Sequence, residues 1–352
     1  ALSNRNIVTN GAMQVAQRST SATGLGAASG YFTCDRWRLG AANTAGRLTM
    51  TQTADGPSGF ANCLKLDCTT ADASIAADEI MYIQQRFEGQ DLQQLKKGTS
   101  DAESVTISFY VKANAAFDFV LELHDSDNSR NIHKLFATTT GWVRHELTLP
   151  ADTTGALDDD NARSLELNFW LHAGSNYTSG TLNTAWASST SANRAAGIDS
   201  FFSSTDNNFF ITGVQLEVGP VATPFEHRSY GQELALCQRY CTVYKTNGEG
   251  QIPHSSAQVD SANRPEILLL YPKKRANPSI AVVNSTNFRV LTAANTAIAC
   301  SGYGGTYLGT GPDSAIMFWN VSSGVSVNAL SGVIQQLLIF QNTGSITIDA
   351  EL

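Results

Sequence analysis

The chain has 352 residues, of which 42% are hydrophobic and only 15% charged, with a net charge of −8. At roughly 150 residues per domain this length suits two domains, each able to bury a core without metals or disulfides. The charged fraction is well under the usual value of about 25%, and Ser, Thr, Asn, Ala and Gly replace it, a balance that suits β-proteins with large neutral surfaces rather than a helical enzyme. The acidic excess excludes phosphate-backbone binding, which needs clustered Lys and Arg; the densest basic run, Lys273-Lys274-Arg275, reads as a solvated loop. No apolar stretch reaches the about 20 residues that a membrane-spanning helix needs. Ala1-Leu2-Ser3-Asn4-Arg5 lacks the apolar run of a signal peptide and reads as the start of a cytosolically made chain that has lost its initiator Met.

Residues 1–228 read as strands separated by polar, Gly-rich turns. Ile7 to Gly11 is a strand running into an Asn-Gly turn, and Arg47 to Gln52 alternates Leu48 and Met50 against polar neighbours. Val105 to Lys112 alternates at period two, with Val105, Ile107, Phe109 and Val111 on one face. Phe119–His124, Val143–Leu149, Leu165–Leu171 and Phe209–Val218 follow the same rule. Tyr82 to Lys97 begins as a strand and turns helical near Leu92 to Leu95. Two polar stretches, Asp152 to Arg163 and Gly174 to Asp206, read as long ordered loops, the kind of surface feature that often carries function. Strands at this spacing, each with one apolar face, specify two antiparallel sheets packed face to face.

The pattern changes after Pro224. A connecting helix is expected over 229–242, where the stripe Leu234, Cys237, Cys241, running on to Tyr244, recurs at helical steps; the about twelve residues from Tyr230 to Cys241 make a rod of about 18 Å, long enough to join two domains. From 243 to 352 short strands return, at Val259–Tyr271, Ser279–Val283, Asn287–Leu291, Ala297–Cys300, Ile316–Trp319, Val333–Phe340 and Ser345–Glu351. The Gly-rich run Ser301 to Gly311 reads as a flexible loop. The expected fold is therefore all-β: an N-terminal β-sandwich (1–228), a connecting α-helix (229–242) and a small C-terminal β-sandwich domain (243–352).

Three passages carry a resemblance. Asn6-Ile7-Val8-Thr9-Asn10-Gly11-Ala12-Met13-Gln14-Val15-Ala16-Gln17-Arg18 is followed by Asp35-Arg36-Trp37. Ile211-Thr212-Gly213-Val214-Gln215-Leu216-Glu217-Val218-Gly219 runs on through Ala222-Thr223-Pro224-Phe225-Glu226 to Cys237-Gln238-Arg239-Tyr240. Together with Val105–Lys112 and the ending Asp349-Ala350-Glu351-Leu352, they resemble a family of tailed-bacteriophage virion proteins, tail fibres and other surface appendages. The resemblance covers residues 1 to about 241. It implies an N-terminal jelly roll like that of carbohydrate-binding modules, a homotrimer, residence in the virion, and other virion proteins and host cell-surface glycans as partners. The variable part after the helix becomes a candidate receptor-binding tip.

Catalysis has no local signature. Gly-x-Ser-x-Gly, His-Glu-x-x-His and Walker-type motifs are absent, and no paired carboxylates are marked out for glycoside cleavage. A polysaccharide depolymerase is the weakest reading, behind an architectural capsid-decoration or tail-connector role. The six cysteines, Cys34, Cys63, Cys68, Cys237, Cys241 and Cys300, form no CxxC pair and read as small buried hydrophobes. No two of the histidines share a metal-ligand spacing on one element.

No cofactor is expected. Asp125-Ser126-Asp127-Asn128 starts like an EF-hand loop but has Arg130 and Phe136 where Gly and Glu belong. Jelly-roll modules of the resembled kind often hold a structural calcium, for which Asp158, Asp159 and Asp160 offer oxygen ligands; a solvated acidic loop is the competing reading. Sugar recognition needs exposed aromatic rings beside hydrogen-bonding groups. The candidates are Trp170, Tyr177 and Trp186 near the 174–206 loop, and Tyr303 and Tyr307 in the Gly-rich run, with Trp170 as core and Trp186 as a loop anchor left open. Trp37, Trp142 and Trp319 read as core. The stripe Leu234, Cys237, Cys241, Tyr244 would be the oligomer seam, or else pack on its own sandwich.

Overall fold

In the computed structural model the described residues are 4–245, 250–251, 258–259, 264–292, 297–321, 334–339 and 344–352. The chain divides into two compact units, Ala1–Leu234 with Leu352, and Ala235–Glu351.

The first unit holds β1 (Ser21–Leu25), β2 (Gly30–Tyr31), β3 (Arg38–Ala42), β4 (Arg47–Thr53), β5 (Cys63–Thr70), β6 (Ile80–Glu88) and β7 (Val105–Ala113). It continues with β8 (Asp118–Asp125), β9 (Arg130–Ala137), β10 (Val143–Leu149), β11 (Arg163–Ala173), the single turn α1 (Ser175–Thr178), β12 (Ala187–Ser188) and β13 (Asn208–Val218). These make a jelly-roll sandwich: a six-stranded sheet ordered β1-β4-β5-β13-β7-β10 and a seven-stranded sheet ordered β12-β9-β8-β11-β6-β3-β2. Period two decides what lies between them. Val105, Ile107, Phe109 and Val111 all face inward, at 4% exposure or less. They join Trp37, Phe119, Phe136, Phe169 and Phe209 in one core, where Phe109 meets Phe169 edge-on at 5.1 Å. Trp142 departs from its core reading: it is half-buried on the outer side of the six-stranded sheet, with Lys112 Nζ 5.2 Å from its ring centre.

The predicted strand at Ile7–Gly11 does not form. Ile7 N donates to Leu216 O and Val214 N to Gly11 O, but the amides between them bond to side chains: Val8 N to Asn6 Oδ1, Thr9 N to Gln85 Oε1 and Asn10 N to Glu233 Oε1. A backbone satisfied by side chains has no ladder to offer.

The connecting helix α2 spans Tyr230–Gln238, shorter than the pattern suggested. Beyond it lie β14 (Cys241–Lys245), β15 (Gly250–Gln251), β16 (Gln258–Val259), β17 (Pro265–Leu270), β18 (Ser279–Val283), β19 (Phe288–Thr292), β20 (Ala297–Thr310), β21 (Ser314–Val321), β22 (Ile334–Ile339) and β23 (Ser345–Asp349). A three-stranded sheet (β14-β23-β18) and a seven-stranded sheet (β15-β22-β19-β20-β21-β17-β16) share a core of Ile267, Phe288, Met317, Trp319, Ile346 and Ile348. The Gly-rich run is thus strand rather than loop. The Phe318 ring lies over Gly304, where an added Cβ would come within 2.1 Å of it, and Gly305 takes a φ of +130° where the register slips. Lys274, read as solvated, is 1% exposed and donates to Gln238 O and Thr242 Oγ1, both at 2.6 Å.

Candidate functional site

Two of the passages that carry the resemblance, the opening with Asp35–Trp37 and the run from Ile211 to Tyr240, meet in one hydrogen-bonded hub. Asn10, in a left-handed turn at φ +58°, accepts from Val15 N at 3.0 Å and donates to Val15 O and Asp35 O. Its own carbonyl takes the Trp37 indole N–H at 3.0 Å. Asn6 Oδ1 accepts from Leu216 N, and Asn6 Nδ2 donates to Val214 O. Glu226 accepts from Asn6 N at 2.8 Å, Glu217 accepts from Thr223 N at 2.8 Å, and Glu233 of α2 accepts from Asn10 N at 2.5 Å. These residues are fasteners: they hold the opening segment against β13 and the start of the exit helix.

The outer face of the seven-stranded sheet carries a polar row set by strand register. Arg38 on β3 sits opposite Gln84 on β6, Gln84 opposite Asn168 on β11, Asn168 opposite Glu122 on β8, and Glu122 opposite His133 on β9. The row bonds sideways as well, Arg38 Nη1 donating to Gln84 Oε1 at 3.2 Å and Gln84 Nε2 to Asn168 Oδ1 at 2.8 Å. Glu122 is its fully buried centre. It accepts from Asn168 Nδ2, Trp170 Nε1 and Asn131 Nδ2, and takes both Arg194 bonds at 2.7–2.8 Å. Burial pushes its carboxyl up, but Arg194 and His133 outweigh that and hold it well below the usual glutamate range.

Arg194 belongs to the polar 174–206 stretch, which covers the β8–β9 half of this face. Trp170 is therefore fully buried, with Arg194 5.0 Å from its ring centre, and cannot stack on a sugar; the core reading of this ring is the one that applies. Tyr177 lies half-buried at 5.6 Å from Trp170 in the same layer. Trp186 donates to Pro150 O at 3.0 Å and lies beside Lys97 at 5.0 Å, as a loop anchor would.

The β3–β6 half stays partly open. Tyr82 is half-buried, its ring lying over Gly40, where an added Cβ would come within 2.2–2.7 Å of the ring atoms. Arg38, Gln84 and Arg86 stand beside it, with Arg86 Nε bonded to Gln84 Oε1 and 3.6 Å from Glu166. Arg86 Nη1 and the Tyr31 hydroxyl also donate to the Leu352 carbonyl. Tyr82 was missed in the sequence. Its signal was a tyrosine on the polar phase of β6, one strand away from a glycine.

The other expectations separate. Asp158, Asp159 and Asp160 are exposed, and the Asp158 and Asp160 backbones tie their loop to neighbouring segments through Asp158 N to Asp127 Oδ2 and Gln90 N to Asp160 O. The oligomer stripe is not one helical face. Helix α2 ends before Cys241, so Cys241 and Tyr244 lie on β14. Cys237 and Cys241 are fully buried within the chain, Leu234 is half-buried, and Tyr244 packs on the C-terminal core with its hydroxyl donating to Leu270 O at 2.8 Å. The exposed apolar residues of α2 include Tyr230 and Leu236 instead, at 57% and 41%. Tyr303 stands on β20 and packs on Trp319 at 5.5 Å; the Tyr307 side chain lies outside the described residues. All six cysteines are buried thiols, none of them in a disulfide. Burial pushes the Cys63 thiol up to about 11 and that of Cys300 to about 12, so neither is a nucleophile at neutral pH.

No known protein family matches this sequence, and no curated protein does. Among solved structures, the chain is similar to the enzymatically active domain of bacteriophage CBA120 tailspike protein 4, at 12% identity and a TM-score of 0.32 over 61% of this chain and 21% of that one. It is also similar to the CBM22-1 xylan-binding domain from Paenibacillus barcinonensis Xyn10C (13% identity, TM-score 0.28, 52% and 87% covered). A third is the family 11 carbohydrate-binding module from Clostridium thermocellum (9% identity, TM-score 0.28, 58% and 98% covered). The chain spans about a fifth of the tailspike chain.

Proposed function

We propose that this chain is a non-catalytic structural component of a bacteriophage virion, a homotrimeric tail fibre or surface appendage that contacts host-surface glycans. The observation that carries the virion role is the hub: residues far apart in sequence, which together resemble phage appendage proteins, are the ones that join the opening segment, β13 and the exit helix. Glycan contact rests on the open end of the polar row. There the half-buried Tyr82 ring, backed by Gly40 and 4.8 Å from Trp170, offers an apolar surface for pyranose C–H groups, and Arg38 and Arg86, both held by the buried Gln84, offer hydrogen-bond donors beside it. Catalysis is not part of the reading, because Glu122, the central carboxylate of the row, is buried and held ionised, the wrong state for a general acid.

Excess free protein should compete with intact phage for adsorption to host cells, and Tyr82→Ala should weaken that competition by about tenfold or more, the equivalent of about 1.4 kcal/mol. If the free protein does not compete while gold-labelled antibody still finds it on the particle, the architectural reading, a capsid decoration or tail connector, takes over. That alternative is favoured by one observation: the 174–206 stretch has turned Trp170 into core.

A further inference from the structure

We propose that Asp72, Glu79 and His172 form a binding site for one divalent first-row transition cation of the Zn2+ type, in the N-terminal unit. Their candidate ligand atoms lie within 4.8 Å of one another, and all three residues are buried. His172 stands on β11, fully buried, with Nε2 2.9 Å from Glu79 Oε2 and Nδ1 2.7 Å from Ser200 Oγ. Asp72 Oδ2 accepts from Thr44 Oγ1 at 3.0 Å and Ala45 N at 2.8 Å, its Oδ1 from Ser74 N at 3.2 Å, and Glu79 Oε1 from Ala76 N at 2.6 Å.

Charge balance carries the argument. Asp72 and Glu79 bring carboxylate oxygens within 4.8 Å of one another, so two buried carboxylates share one place, yet among the described residues neither pairs with a Lys or Arg. Such a pair either shares a proton or faces a cation. Two features favour the cation. The Ser200 hydroxyl at Nδ1 is the outer partner that fixes the ring of a metal-bound histidine. Backbone amides aim both carboxylates, with Thr44 on Asp72 Oδ2 as well, while Asp72 Oδ1 and Glu79 Oε1 each accept only one of these bonds. One imidazole and two carboxylates suit Zn2+, Co2+ or Mn2+, whereas Ca2+ and Mg2+ prefer oxygen alone. The line Ser200–His172–Glu79 also has the order of a hydrolase triad. However, Ser200 Oγ already caps the 201–203 turn by accepting from Phe202 N, and the Phe202 ring lies 5.1 Å from the imidazole.

The test is metal binding by the full chain stripped with chelator. Co2+ should bind with one equivalent and give visible d–d bands, Zn2+ should displace it and raise the melting temperature, and Ca2+ should do neither. Glu79→Gln keeps the size and an acceptor oxygen, so it should stay folded and lose the cobalt bands; His172→Gln should lose them too. X-ray absorption on the Zn2+-loaded wild type should show one imidazole with oxygen scatterers, which needs no variant to fold. No uptake of Co2+ by the wild type, unchanged bands in Glu79→Gln, or sulfur in the shell would each overturn the proposal, leaving a shared proton as what balances the pair.

Discussion

The Lys97 ammonium is surrounded as a bound cation would be. It donates to Asp125 Oδ2 at 2.5 Å, to Gly155 O at 2.8 Å and to Thr154 O at 3.1 Å, and Asp152 Oδ2 is 2.9 Å away. Its side chain is 4% exposed. Lys97→Met keeps the stem and removes the charge, leaving Asp125 buried without its ion pair while Asp152 keeps Arg130. The expected loss is about 3–5 kcal/mol of unfolding free energy in urea titration; a loss under about 1 kcal/mol would mean the cage contributes no net stability. A related effect ties stability to pH. Glu122, Asp152 and Glu226 are all buried enough to raise their carboxyls, yet each is held below its ordinary range, by Arg194 and His133, by Arg130 and Lys97, and by the Asn6 and Asn4 amides respectively. A depressed folded value means the stabilisation is complete above the unfolded value, 4.5 for a glutamate, and disappears as pH falls through the folded one. The melting temperature should therefore fall on acidification below about pH 4.5, and Arg194→Met, which lets burial raise the Glu122 carboxyl toward its unfolded value, should lower stability at neutral pH and make that acid fall shallower. An acid limb unmoved by Arg194→Met would show that Arg194 is not what holds Glu122 down.

At the scale of elements, β7 was legible because burial of one sheet face forces alternation, and Val105, Ile107, Phe109 and Val111 take the inward positions with Thr106, Ser108 and Tyr110 between them. The outer register was not legible. On β8 and β11 the polar phase carries Glu122 and Asn168, residues that normally mark solvent, and they are buried only because a loop distant in sequence brings Arg194 over them. For the same reason Trp170, on the polar phase beside that loop, looked like a binding ring. Helix α2 misled in another way: Cys237 and Cys241 share a helical spacing, but the chain changes from helix to strand between them. A trimer contact would have to use what α2 leaves exposed. Leu236→Asp should change unfolding free energy by no more than about 0.5 kcal/mol, yet shift sedimentation from trimer to monomer. A wild-type chain that sediments as a monomer at micromolar concentration would end the trimer reading.

At the scale of the molecule, the sequence pattern changes near Pro224 and the chain divides into two compact units after Leu234, whereas the placement of the site had no mark in the sequence. It depends on which sheet face a loop covers, and only assembled strands show that. The same division makes the glycan reading separable from the fold. The N-terminal unit has its own core, running from Val8 to Leu216, and the hub closes within residues up to Glu233. A fragment ending at Gln238 keeps all of these and the whole of α2, so it should melt in one cooperative transition with the far-ultraviolet spectrum of a β-protein. Because Tyr82, Arg38, Gln84 and Arg86 all lie in that unit, the fragment should also compete with phage for adsorption as the full chain does, within about threefold once avidity from trimerisation is allowed for. A folded fragment that fails to compete, beside a full chain that succeeds, would move the host contact to the C-terminal unit and make the sandwich its platform.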